Sequence, residues 1–164
     1  MSKTRLAIHG GRRAVAKDVK FKVWPAITKE DERMAIASLR QTAHAFGPNC
    51  RALQQEFADW LGIKHCMPTN AGTAALHMCM NATGVEAGDE VVTTALSWTS
   101  SATAILHQGA IPVFVDVDWD SMHIDPAKIE AAITPHTRAI LPVHYWGVSC
   151  DMDPIMRIAR KHKL

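Results

Sequence analysis

Short segments of strand character alternate with helical segments along most of this chain. Strands are expected at 64–69, 90–95, 111–117 and 137–143, and helices at 73–83, 98–108, 125–133 and 153–162. The runs around Val91-Val92, from Ile111 to Val117 and from Thr137 to Val143 are apolar without a polar alternation. A strand apolar on both faces needs cover on both faces, so the pattern predicts an α/β fold with a mostly parallel sheet. Ligands of such sheets bind at the carboxyl ends of the strands. The segments 70–74, 96–101 and 144–150 each follow an expected strand, which puts all three loops at one edge.

Ahead of this pattern, residues 1–27 read as an arm, broken at Gly10-Gly11 and held extended before Pro25. Thr28 is placed to cap a first helix, with Glu30, Asp31 and Glu32 where the helix dipole favours acids. A second helix is expected from a cap at Asn49 to a stop at Gly62, with Leu53, Phe57, Trp60 and Leu61 on one face. Asp151 and Asp153 are expected to cap the last helix.

Composition narrows the function classes. With 48% hydrophobic and 21% charged residues the chain can bury a core. A net charge of +2 is too small to argue for nucleic acid or a membrane surface as partner, and neither is expected. The basic N-terminus lacks an apolar core of secretory length, and no apolar run approaches a membrane span, so the expected location is cytoplasmic. Cys50, Cys66, Cys79 and Cys150 have no metal or redox spacing. They read as free buried thiols, with Cys66 and Cys79 in apolar surroundings, and no metal site is expected.

Three loops carry candidate chemistry. Asn70-Ala71-Gly72-Thr73-Ala74 opens a helix with small residues, leaving backbone N–H groups free for a phosphate or other anion. Close packing of the helix on the sheet would explain the same residues. Trp98 offers an indole for stacking on a flat ring, beside the hydroxyls of Thr99, Ser100 and Ser101. His144 and Tyr145 follow a buried strand, and the imidazole suits proton transfer or substrate contact; a histidine satisfied by its own loop backbone is the alternative. Asp116, Asp118 and Asp120 read as a solvated turn, because no glycine or later glutamate completes a calcium loop. No lysine lies in a context suited to a Schiff base.

Several motifs occur in a fixed order: Leu6-Ala7-Ile8-His9-Gly10-Gly11-Arg12-Arg13, Val23-Trp24-Pro25, Phe46-Gly47-Pro48, Asn70 to His77, Gly88-Asp89-Glu90-Val91-Val92, Ser97-Trp98-Thr99-Ser100, Gly109 to Asp118, Ile133 to Ile140 and Pro142 to Gly147. Together they make the chain resemble the DegT/StrS-type sugar aminotransferases, fold-type I enzymes that use pyridoxal 5'-phosphate (PLP). The resemblance implies an incomplete three-layer α/β/α large domain. It implies a division into an arm at 1–27 and a partial PLP-binding domain at 28–164, cut short, with the small C-terminal domain absent. Gly72, Thr73 and Ala74 would hold the PLP phosphate, Trp98 would stack on the pyridine ring, and His144 and Tyr145 would belong to a substrate loop.

The family's Schiff-base lysine and the aspartate that pairs with the pyridine nitrogen would lie beyond Leu164. The chain alone would then contain no catalytic residue, would hold PLP without a covalent bond, and would be inactive. An unpaired sheet edge would leave it poorly soluble or only partly stable. The full enzyme would move an amino group from glutamate or glutamine to a keto-sugar, often nucleotide-linked, or to a cyclic keto-polyol. It would work as a homodimer. A PLP-dependent sugar dehydratase, or a non-catalytic product that only associates with other subunits, are the alternatives.

Overall fold

The computed structural model describes residues 5–16, 18–21, 24–41, 43 and 45–164. Val23 of the Val23-Trp24-Pro25 motif and residues 1–4 of the expected arm lie outside the described residues. The chain divides into two compact units, Met1–Lys64 and His65–Leu164.

The first unit carries a short 3-10 turn, Ala7–His9, and two helices, α1 (Lys29–Leu39) and α2 (Pro48–Leu61). Thr28 caps α1 as expected, in a reciprocal box. Its hydroxyl accepts the Asp31 N–H, and the Asp31 carboxylate accepts the Thr28 N–H at 2.7 Å. The cap expected at Asn49 is not formed. Gly47 holds that position and Pro48 takes the first helical position, where its missing N–H has no intrahelical partner to lose. Asn49 is therefore inside the helix. Gly62 ends α2 at φ 67°, a left-handed conformation that any Cβ would strain.

The second unit is built around three parallel strands, β1 (Glu90–Thr94), β2 (Ile111–Val115) and β3 (Thr137–Leu141), in the order β2-β1-β3. Helices α3 (Gly72–Ala82), α4 (Ser100–His107), α5 (Pro126–Ile129) and α6 (Met152–His162) complete it. Side chains alternate across a strand, so adjacent residues of β1 feed opposite faces. Val91 joins Met80, Val85, Ile105 and Ala110 under α3 and α4. Val92 joins Val115, Ile124, Ile129, Cys150 and Ile155 on the face of α5 and α6. Both valines are fully buried. The unit is thus α/β in three layers, with the central strand covered on both sides as its apolar run required.

Several boundaries differ from expectation. The segment at 64–69 joins no ladder among the described residues. A strand exists only with a partner; both flanks of β1 are taken by β2 and β3, and Pro68 has no N–H to donate. The segment at 98–108 is helical only from Ser100, and α5 gives way to a 3-10 turn, Glu130–Ala132, so the expected helix at 125–133 is a tight composite. Helix α6 starts one residue early, at Met152. Asp151 occupies its cap position without a side-chain bond, and Asp153 lies inside the first turn. Cys79 is exposed and only Cys150 is buried, because the outward side of α3 carries Cys79 while Met80 faces the core. Among the described residues no helix is long and apolar enough to cross a membrane.

Two outcomes test this account. Ile129 is fully buried in the Val92 cluster, so Ile129→Ala lowers the unfolding free energy by about 2–5 kcal/mol, whereas Ile8→Ala, at a position 86% exposed, shifts it by less than about 0.5 kcal/mol. Urea denaturation of the two variants measures the difference. The Thr28 hydroxyl and N–H hold the Asp31 carboxyl below its ordinary value of 3.8. The capping contribution is therefore present above that value and is lost as pH falls through the lower folded-state value. Amide exchange in the first turn of α1 speeds up on acidification, and Asp31→Asn removes that pH dependence.

Candidate functional site

The carboxyl ends of β1 and β3 launch two of the three loops expected at the site, and the first turn of α3 supplies the third. Thr93 at the end of β1 donates its hydroxyl to the Leu141 carbonyl at 3.0 Å, locking the two strand ends together. Pro142 then ends the β3 ladder by lacking a donor. The three loops surround one open cleft of about 660 Å³, lined by Gly72, Thr73, Ala75, Leu76, Ser97, Trp98, Ser100, Ser101 and the run Val143 to Trp146.

Two helix N-termini open onto this cleft. In α3 the first intrahelical bond runs from the Ala75 N–H to the Ala71 carbonyl at 3.1 Å. The N–H groups of Gly72, Thr73 and Ala74 precede it and have no intrahelical acceptor. Neither α3 nor α4 has a side-chain cap. The Thr73 and Ser100 hydroxyls bond each other at 2.8 Å and so join the two termini. Ser97 and Ser101 make a second hydroxyl pair at 2.7 Å. Serine and threonine here bond across the cleft wall instead of capping their own helices.

Gly72 bears on the choice between packing and ligand space at this turn. Its φ is not in the left-handed region, and a Cβ built on it would meet no atom within 4 Å. Close packing of α3 therefore does not require a glycine there. The place a side chain would take is open space on the cleft lining. Among the described residues no Asp, Glu, Lys or Arg lines the cleft. An anion would be met by dipoles and hydroxyls, without a carboxylate to repel it. The residues present thus fit a phosphate group.

Trp98 precedes α4, accepts the Ser101 N–H on its carbonyl at 3.1 Å, and stands 78% exposed at the cleft rim. It is not buried as a helix-start packing residue. His144 and Tyr145 also line the cleft. The Cys150 N–H donates to His144 Nδ1 at 3.0 Å, so the loop backbone satisfies one ring nitrogen. Tyr145 packs edge-on against Trp146 with ring centroids 4.9 Å apart. Ala74 is half-buried and is not part of the cleft lining, which leaves it only its backbone N–H to offer.

Sequence reasoning singled out Gly72, Thr73, Trp98, His144 and Tyr145, which the cleft brings together with Trp146. Trp146 adopts φ 57°, uncommon for a residue with a Cβ, within the turn Tyr145–Gly147. That turn also borders a second cavity of about 540 Å³, lined by His123, Ser149, Cys150 and Asp151 among others. Gly147 after an aromatic pair was the available hint of a tight turn.

The remaining candidates lie elsewhere. Asp118 accepts the Ser121 N–H at 2.9 Å, and Asp116 and Asp125 flank the Lys128 ammonium at 3.6 and 3.3 Å, so these carboxylates hold the 116–125 turn. Among the described residues, no group of three or more His, Cys, Asp or Glu is placed to hold a metal ion. Lys161 bonds Glu130, and among the described residues no lysine lines the cleft.

Comparison with known proteins places this geometry. The sequence profile of the DegT/DnrJ/EryC1/StrS aminotransferase family matches residues 25–164. The chain is 44% identical over 140 residues to the spore coat polysaccharide biosynthesis protein SpsC of Bacillus subtilis, covering 85% of this chain and 36% of SpsC. It is 48% identical over 111 residues to GDP-perosamine synthase of Caulobacter vibrioides, covering 68% of this chain and 30% of that enzyme. Among solved structures, NtdA from Bacillus subtilis with the cofactor PMP bound superposes with a TM-score of 0.76 at 34% identity, over 84% of this chain and 33% of NtdA. The chain spans about a third of the length of these relatives.

Thiol chemistry tests the packing beneath the cleft. Burial pushes the Cys150 thiol above its ordinary range, whereas Cys79 is exposed. The thiolate is the reactive form. Iodoacetamide labels Cys79 first and Cys150 last, as followed by peptide mass spectrometry, and urea abolishes the lag at Cys150.

Proposed function

This chain belongs to the DegT/DnrJ/EryC1/StrS aminotransferase family, and we propose that its cleft is one wall of a PLP site. The whole protein, working as a homodimer, would move an amino group from glutamate or glutamine to a keto-sugar, often nucleotide-linked, or to a cyclic keto-polyol. One observation carries the proposal: two uncapped helix N-termini, joined through Thr73 and Ser100, open onto the same cleft as the exposed Trp98. Phosphate and a flat aromatic ring are the two halves of the cofactor, and the cleft offers a partner to each.

Each residue has a definite task in this proposal. The N–H groups of Gly72, Thr73 and Ala74 bind the phosphate, and the α3 dipole adds a favourable potential. Gly72 leaves the space that the phosphate fills. Trp98 lays an apolar face against the pyridine ring and excludes water from it. When bound, the cofactor supplies an electron sink for carbon–nitrogen chemistry. His144 and Tyr145 face the side from which a substrate enters. Residues 28–164 are then the cofactor-binding part of the fold. The chain by itself holds the cofactor without a covalent bond and does not turn over; among the described residues no lysine lines the cleft to form a Schiff base. The aminated sugar named in GDP-perosamine synthase supports the substrate class.

Titration of the chain with PLP, followed by indole fluorescence, tests the proposal. Trp98→Ala raises the Kd about three- to tenfold, the equivalent of roughly 0.5–1.5 kcal/mol of stacking. Gly72→Val leaves the unfolding midpoint unchanged but abolishes saturable binding, which a packing glycine would not do. Borohydride reduction leaves no stoichiometric pyridoxyl-lysine in the washed chain. Saturable binding that survives both substitutions would refute the assignment of the cleft.

A further inference from the structure

We infer that His144 is a hydrogen-bond donor of fixed tautomer toward an unprotonated oxygen of the cleft's ligand, and that Cys150 is the positioning residue that fixes it. A backbone amide can only donate. The Cys150 N–H reaches His144 Nδ1 at 3.0 Å, so Nδ1 carries no proton, and the proton of the neutral ring belongs to Nε2. His144 borders the cleft and is exposed. It therefore offers Nε2–H there, and in this state it has no free lone pair with which to act as a base at Nε2.

Cys150 is suited to this role. It is 4% exposed, in the cluster of Val92 and Ile155, and so is anchored in the core beneath β1. Its thiol donates to the Val143 carbonyl at 3.1 Å while its N–H donates to the next residue's ring. Two bonds from one buried residue close the loop 143–150 and set the imidazole relative to the strand end. A loop that only needed closing would not require an aromatic acceptor at one of those bonds. The tautomer follows from the chain alone; that the ligand is PLP or a substrate beside it rests on the cofactor proposal above.

Nitrogen-15 NMR of the histidine-labelled chain, without ligand and at alkaline pH, tests the inference. The His144 ring signals, assigned by their loss in His144→Asn, fall in the pattern of a single Nε2–H tautomer. Cys150→Ala keeps the N–H donor but loses the thiol bond that anchors it to the Val143 carbonyl, and the loosened loop broadens the ring signals toward tautomer exchange. Cys150→Ser, whose hydroxyl can still donate to the Val143 carbonyl, restores the wild-type pattern. In PLP titration, His144→Asn keeps an acceptor for the Cys150 N–H but removes the Nε2 donor, and raises the Kd about three- to tenfold, the size of one neutral hydrogen bond. An Nδ1–H or averaged pattern in the wild-type chain overturns the inference, as does a His144→Asn chain that binds PLP like wild type. If the wild-type chain does not bind PLP at all, the cofactor proposal falls, and the ligand-free spectrum alone decides for or against the fixed donor.

Discussion

The cleft depends on the burial of β1 from both sides. Val91 and Val92 are neighbours in sequence, yet each anchors a different hydrophobic cluster. Fully burying a side chain of this kind contributes about 1.5–3 kcal/mol. The cost of a misregistered strand is correspondingly high, because a slip of one residue would exchange the two faces. The pairing with β2 and β3 fixes where β1 ends, and Thr93 bonds the end of β3 directly. From that fixed point the chain leaves toward Trp98 on one side and His144 on the other. The geometry of the site is inherited from the core.

Polar groups take over where the strands stop. Among the described residues the cleft lining holds no Asp, Glu, Lys or Arg, and its character comes from oriented N–H groups, hydroxyl pairs and aromatic faces. Such groups are held by short-range bonds and do not depend on ionic strength as surface charges do. Among the described residues the ion pairs of this unit lie apart from the cleft, at Lys128 with Asp116 and Asp125, at Arg138 with Asp89 and at Glu130 with Lys161 and His162, on side chains that are at least partly exposed and contribute little to stability.

Much of this was legible in the sequence because its signals are local. The apolar run through Val91-Val92 demanded cover on both faces, and Thr28 ahead of three acids marked the start of α1, though not the reciprocal bond from Asp31. The small residues at 70–74, the indole at 98 and the imidazole at 144 were each placed after a strand or before a helix, and parallel topology gathered them. What was not legible depends on partners distant in the chain. Residues 64–69 have a plausible local composition, but a strand is a relation between two segments, and no composition reveals that a neighbour is lacking. Nor does local sequence show that Thr73 bonds Ser100, or that Cys79 faces outward while Cys150 faces in. The choice between packing and ligand space at Gly72 required knowing what surrounds a Cβ that is not there.

The turn Tyr145–Gly147 borders two cavities, the cleft on one side and the space lined by His123 and Cys150 on the other. A partition has no private face. Any substitution at Trp146 alters the shape of both compartments at once, and a measured change in ligand affinity there reports the sum. Assigning an effect to one compartment requires a residue that borders only one of them, such as Trp98 for the cleft or His123 for its neighbour.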